Sequence, residues 1–245
     1  MGSGFSGAGA LLRLQDGGQA IAAVVGCGGK TTLIESIARE YSHRKVLVTP
    51  TTKIWPMHGI APTYTTPEEC LLHRPVQGLQ CMGVMNDASG KLEALPLELL
   101  ERLISQYDLV LIEADGSRGL PCKGWQPDEP VVPGYCTDTI GVATLGALGR
   151  PADEDAVLRL PEFLALTGLQ RGESVSLRAL TDMVCADQGM FRCASGRQSI
   201  LINQVEDGDS AAVAEDWLKS IRQAYPGRFA CLAYGSARAN EWKEV

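Results

Sequence analysis

Apolar residues in this chain come in unbroken runs separated by amphipathic stretches. The runs are AIAAVVG (20–26), KVLVT (45–49), DLVLIEAD (108–115), TIGVATLG (139–146), SILINQV (199–205) and FACLAYGS (229–236), with LQCMGVM (79–85) a weaker member. Continuous apolar runs suit strands covered on both faces, as in a parallel sheet. Between them lie helical patterns. Over 31–45, Leu33, Ile34, Ile37, Ala38 and Tyr41 share one face, and His43, Arg44 and Lys45 favour the C-terminal end of the dipole. Over 96–107, Pro96 suits a first turn, with Leu100, Leu103 and Tyr107 inward. Over 210–225, Val213, Trp217, Ile221 and Ala224 align, and Pro226-Gly227 stops the helix. The alternation predicts an α/β fold, a mostly parallel sheet flanked by helices. Segments 153–160, 161–168 and 176–189 read as short helices, a small helical insert (151–198) within a single domain of 11–245. The Gly/Ser/Ala-rich residues 1–10 read as a flexible leader.

Composition narrows the class. The chain has 245 residues, 45% of them hydrophobic, enough for a full core. Lys and Arg number 22 against 29 Asp and Glu, net −7, with no basic stripe, which argues against nucleic acid as a partner. No apolar run approaches a membrane span, and the first residues lack the basic and apolar regions of a secretory signal. The eight cysteines form no C-x-x-C pair, which disfavours a zinc ribbon and suits a reducing cytoplasm. His43, His58 and His73 read as surface or loop residues.

The first apolar run ends in a glycine loop. Gly26, Gly28 and Gly29 precede Lys30, Thr31 and Thr32, a G-x-x-G-K-T-T form shorter than the usual phosphate loop, whose first glycine would fall at Val24. Such glycines aim backbone N–H groups into one concavity, and the following helix adds its positive end. The expectation is a P-loop NTPase-like site for ATP or GTP, in which Lys30 reaches the β- and γ-phosphates, Thr31 ligates Mg²⁺ and Thr32 neighbours the α-phosphate. At the end of a buried strand, Glu113 and Asp115 are candidates for the catalytic carboxylates, one holding the metal and one orienting water. Asp115 is assigned to the metal with Thr31. Arg118 and Lys123 read equally as phosphate clamps or solvated loop charges. Thr49, Thr51, Thr52 and Lys53 form either a switch-like segment or a Thr-rich strand end. Asn203 and Glu206 resemble a guanine-reading N-K-x-D motif with Gln204 and Glu206 substituted. Ser236 and Ala237 resemble the loop that caps a guanine, so GTP is preferred modestly over ATP.

With these stretches quoted, the chain resembles the YqeC family, accessory proteins of selenium-dependent molybdenum hydroxylases. The likeness runs through VVGCGGKTTLIESIARE, VLVTPTTKI, LVLIEADGSRGLPCKGWQPDEPVVP, TIGVATLGALGRP and ILINQVED. It marks Gly26, Gly28, Gly29, Lys30, Thr31, Thr32, Thr51, Thr52, Lys53, Glu113, Asp115, Gly116, Lys123, Glu129 and Pro130. Pro50 stands where the family more often has threonine, and Cys27 where it has a small inert residue. The resemblance implies a nucleotide-driven maturation factor with a molybdenum hydroxylase or another maturation protein as partner. Rival readings are a small-molecule kinase or ATP-dependent ligase, and a non-catalytic nucleotide-binding module. A selenium role also raises two readings of Cys27 and Cys122: activated thiolates, or small buried residues.

Overall fold

The structure is a computed structural model that describes residues 4–14, 18–57, 60 and 62–245; His58 lies outside them. The chain opens with a short strand β1 (Gly4–Ser6) and helix α1 (Ala8–Leu11), then β2 (Ala20–Gly26), α2 (Lys30–Glu40) and β3 (Lys45–Pro50). A smaller region follows: α3 (Pro67–Leu72), β4 (Gly78–Cys81), β5 (Val84–Asn86), β6 (Lys91–Glu93) and α4 (Leu97–Ile104). Next come β7 (Leu109–Glu113), β8 (Cys122–Lys123), β9 (Asp138–Thr144), β10 (Val157–Leu158), α5 (Leu160–Thr167) and α6 (Leu177–Cys185). The chain ends in β11 (Arg197–Asn203), α7 (Gly208–Ala224), β12 (Cys231–Ser236) and β13 (Glu241–Glu244).

Among the described residues one sheet has nine strands in the order β1-β13-β12-β11-β9-β2-β7-β3-β4. From β12 to β4 every pairing is parallel; β13 and β1 add an antiparallel edge. Both faces are covered. Ala22 and Val24 of β2 pack with α2 (Leu33, Ile34, Ile37), while Ile21, Ala23 and Val25 belong to the core built on the other face by α4, α6 and α7. This two-sided burial is why the strands read as continuous apolar runs. The connection from β2 leads toward β3, and that from β7 crosses to β9 on the other side of β2. The strand order therefore reverses at the C-terminal end of β2, where ligands gather in open α/β sheets.

Some expectations change. Gly4–Ser6, expected in a flexible leader, pairs with β13, and Glu40 accepts hydrogen bonds from the Gly9 and Ala10 N–H groups at the start of α1. Backbone ladders need no particular side chain, so a Gly/Ser-rich segment can form one. The weak run 79–85 divides: β4 joins the main sheet, and among the described residues β5 pairs with β6 in a separate two-stranded sheet. The segment expected as a helix over 153–160 instead contains β10, which pairs with β8. Phe163 of α5 and Leu180, Met183 and Val184 of α6 lie in the same hydrophobic cluster as Ile21, Ala23 and Val25 of β2. His73 is buried, its Nε2 3.0 Å from Gln80 Oε1, and burial lowers its pKa.

Candidate functional site

The glycine loop is built by steric necessity. Gly26 has φ 100° and Gly29 φ 110°. A Cβ on Gly26 would stand 2.3 Å from the Val142 carbonyl oxygen, and one on Gly29 2.4 Å from Asn203 Nδ2. Only glycine combines this backbone with this approach. Gly29 is the left-handed N-cap of α2, and among the described residues no side chain caps that terminus, whereas Thr66, Ser176 and Asp207 cap α3, α6 and α7. The first N–H groups of α2 thus face the loop without side-chain competition.

Beside the loop sit two carboxylates in different circumstances. Glu113, the last residue of β7, accepts a hydrogen bond from Thr31 Oγ1 at 3.0 Å. Burial raises its pKa, against the pull of Lys30 and the Thr31 hydroxyl. Asp115 is fully buried and its acceptor sites are filled. It accepts from the Gly26 N–H (3.1 and 3.2 Å), Lys123 Nζ (3.1 Å) and Trp125 Nε1 (2.8 Å), and Lys30 Nζ stands 3.4 Å away. Burial alone would raise the Asp115 carboxyl, but Lys30, Lys123 and Trp125 outweigh it and hold it below its ordinary value. Lys30, itself 3% exposed, donates to the Gly26 carbonyl at 2.7 Å; burial works against its charge, yet Asp115 and Glu113 raise its pKa. Burial lowers the Lys123 ammonium, opposed by Asp115.

This geometry redistributes the expected roles. Asp115, assigned to the metal from sequence, is saturated by two ammonium groups and two N–H donors, so the free carboxylate beside Thr31 is Glu113. Lys123, read as a phosphate clamp or a solvated charge, is not solvated: it is 0% exposed and, besides Asp115, donates to the Gly116 carbonyl at 2.7 Å. Arg118 is exposed. In the threonine segment, Thr51 Oγ1 donates to the Val131 carbonyl at 2.6 Å and its N–H to the Glu113 carbonyl. The buried Thr49 and Thr52 hydroxyls have no hydrogen-bond partner among the described residues. Lys53 turns away, pairing with Glu93 of β6 at 2.8 Å. Cys27 is fully buried with its Sγ donating to the Pro121 carbonyl, and burial pushes it up to about 12; burial also raises Cys122. Both thiols are buried, and burial favours their protonated form over the thiolate.

At the other end of the loop the C-termini of β11 and β12 meet. Asn203 Nδ2 donates to the Gly28 carbonyl (2.7 Å) while its Oδ1 accepts from the Ala237 N–H (2.7 Å). Ser236 Oγ donates to Glu206 Oε1 at 3.1 Å. Gln204, with φ 65°, accepts from Thr144 Oγ1 at 2.9 Å. A cavity of about 280 Å³ opens here, lined by Gly29, Thr32, Asn203, Gln204, Glu206, Ser236 and Arg238. The residues predicted for the base side thus stand together, joined to the glycine loop through Asn203. Trp125, Arg159 and Arg238 were not singled out from sequence. Trp125 follows Lys123 in the run CKGW, and an aromatic N–H two residues past a lysine is a weak signal without the fold.

A family model described as YqeC protein matches residues 22–161. The chain belongs to the YqeC family. It is 29% identical over 215 residues to a protein named uncharacterized protein YqeC from Escherichia coli strain K12, the alignment covering 83% of each chain. The segment matched by the YqeC model includes the glycine loop, Glu113, Asp115, Lys123, Glu129 and Arg159, and ends before Asn203 and Glu206.

The two carboxylates should respond oppositely to neutralisation. Asp115→Asn leaves two buried ammonium groups short of a counter-charge and is expected to cost about 3–5 kcal/mol in urea unfolding. Because the folded-state pKa of Asp115 is depressed, its contribution is present above the ordinary carboxylate value and is lost as pH falls through the folded value; the variant should lose that part of the acid dependence. Glu113 is raised, so its ionisation opposes folding as pH rises above the ordinary carboxylate value. Glu113→Gln should therefore gain roughly 1 kcal/mol at neutral pH; a loss of stability would contradict the burial argument. In thiol labelling near neutral pH, Cys193, half-buried, should react before Cys27 and Cys122.

Proposed function

We propose that this chain is a magnesium-dependent nucleotide-binding protein of P-loop NTPase type with a preference for GTP over ATP. In this reading it acts in the cytoplasm as a nucleotide-driven maturation factor for a selenium-dependent molybdenum hydroxylase or its cofactor. The observation that carries the nucleotide reading is the meeting of Thr31 and Glu113 at 3.0 Å beside a loop whose lysine and uncapped helix terminus supply positive charge. A hydroxyl and a carboxylate are the donor set that suits a hard divalent cation. Thr31 and Glu113 would hold Mg²⁺, which supplies charge neutralisation at the β- and γ-phosphate oxygens.

Lys30 contributes a point charge to the terminal phosphates once it leaves the Gly26 carbonyl. Guanine preference rests on Glu206. One of its oxygens is tied to Ser236, and a carboxylate so oriented accepts from the adjacent N1–H and N2–H₂ donors that guanine has and adenine lacks. The client class rests on the family resemblance. Among the described residues no helix is long and apolar enough to cross a membrane.

Titration calorimetry with each nucleoside triphosphate and Mg²⁺, paired with phosphate release with and without a molybdenum hydroxylase, tests the reading. GTP is expected to bind more tightly than ATP, and Glu206→Ala to equalise them; equal affinities in the parent would remove the guanine assignment. Lys30→Met should weaken nucleotide binding by roughly 10- to 100-fold, the size of a charged hydrogen bond. Because Lys30 is buried against Asp115, the variant's folding must be checked alongside by urea unfolding. Unchanged affinity in a folded Lys30→Met protein would exclude the loop as the phosphate site.

A further inference from the structure

Asp115 is the first anion in a line of alternating charges that leaves the glycine loop and ends at α5. Lys30 stands 3.4 Å from one of its oxygens and Lys123 3.1 Å from the other. Lys123 Nζ is in turn 3.5 Å from Glu129 Oε2, and the other oxygen of Glu129 accepts from Arg159 Nη2 at 2.6 Å. Arg159, in the left-handed conformation, is the N-cap residue of α5. Backbone follows the same route: β8 (Cys122–Lys123) pairs in parallel with β10 (Val157–Leu158). Packing leaves no slack, since a Cβ on Gly124 would lie 2.4 Å from the Phe163 nitrogen.

We propose that this line couples occupancy of the phosphate loop to the N-terminal end of α5, with Asp115 and Lys123 as positioning residues. The proposal rests on the nucleotide reading of the loop. Terminal phosphates carry more negative charge than one carboxylate and draw Lys30 from Asp115 and the Gly26 carbonyl. A buried carboxylate cannot be left uncompensated without a cost of several kcal/mol. Asp115 therefore takes a larger share of Lys123. The Lys123–Glu129 contact, the longest in the line at 3.5 Å, is the one that yields. Glu129 is then left to Arg159 alone, and the turn that starts α5 resettles. The protein surface over residues 157–168 reports in this way whether phosphate is bound. That is the kind of two-state element a nucleotide-driven factor needs.

Hydrogen–deuterium exchange of the full chain, with and without a non-hydrolysable GTP analogue and Mg²⁺, tests the coupling. Calorimetry on the same samples establishes binding. In the parent protein, exchange over 157–168 is expected to change roughly fivefold or more on nucleotide addition, the lower end of ordinary allosteric coupling. Glu129→Gln, which cuts the line outside the loop, should bind the analogue and lose the change at α5. Should that variant fail to fold, Arg159→Gln, altered at a partly exposed side chain, carries the same expectation, and Arg159→Lys should keep the response. Binding in the parent with no change over 157–168 overturns the coupling alone, as does a full response in Glu129→Gln or Arg159→Gln. No nucleotide binding in the parent overturns the coupling together with the function it rests on.

Discussion

A buried carboxylate between two buried ammonium groups is the constraint around which this molecule is arranged. Asp115 has no access to water, so every one of its lone pairs must be met by the protein. The groups that meet it come from two places in the chain: Gly26 and Lys30 from the glycine loop, and Lys123 and Trp125 from the segment after β7. Each contact ties the loop to the rest of the fold, and Lys30 is held back onto the Gly26 carbonyl as a result. Pairs of this kind add little net stability compared with an apolar core, but removing one member is costly. In the proposed function, their value lies in holding one arrangement until phosphate binds.

The sheet order supplies the place for that arrangement. Reversal at β2 leaves the loop between β7, which brings Glu113, and β9, which leads by way of β11 to Asn203. Carboxylate and hydroxyl thus meet at one end of the loop, and the cavity lined by Asn203, Glu206 and Ser236 opens at the other. The distance between the two ends is spanned by a single loop and the first turn of α2. The proposed nucleotide, with charge at one end and a flat polar edge at the other, would span both.

Much of this was legible in the sequence, and the exceptions have identifiable causes. The parallel strands were visible because both faces of the sheet are covered, leaving unbroken apolar runs such as 20–26 and 199–205. The glycine loop and the meeting of Asn203 with Ala237 followed from motif spacing, since they lie at the ends of strands and the Asn203 side chain bonds backbone groups there. The partner of Lys123 was not legible: a lysine in a Gly- and Pro-rich loop reads equally as a phosphate clamp or a solvated charge, and only the fold reveals that Asp115 claims it. Asp115 and Glu113 are two residues apart with the same chemistry, so local sequence does not say which is saturated. Lys53 was drawn to the site by its neighbours Thr51 and Thr52, but the β5–β6 hairpin supplies Glu93 as its partner. Residues 153–160 carried a helical pattern that pairing of Val157 and Leu158 with β8 overrode.

The release of Lys30 from Asp115 by a bound phosphate is the step on which the whole reading turns. A crystal structure of the chain with Mg²⁺ and a non-hydrolysable GTP analogue observes it directly. The expected result has Lys30 Nζ on the terminal phosphates, the metal beside Thr31 and Glu113, and Asp115 still bonded to Gly26 and Lys123. A nucleotide bound elsewhere, or one bound at the loop with Lys30 still on the Gly26 carbonyl, would contradict it.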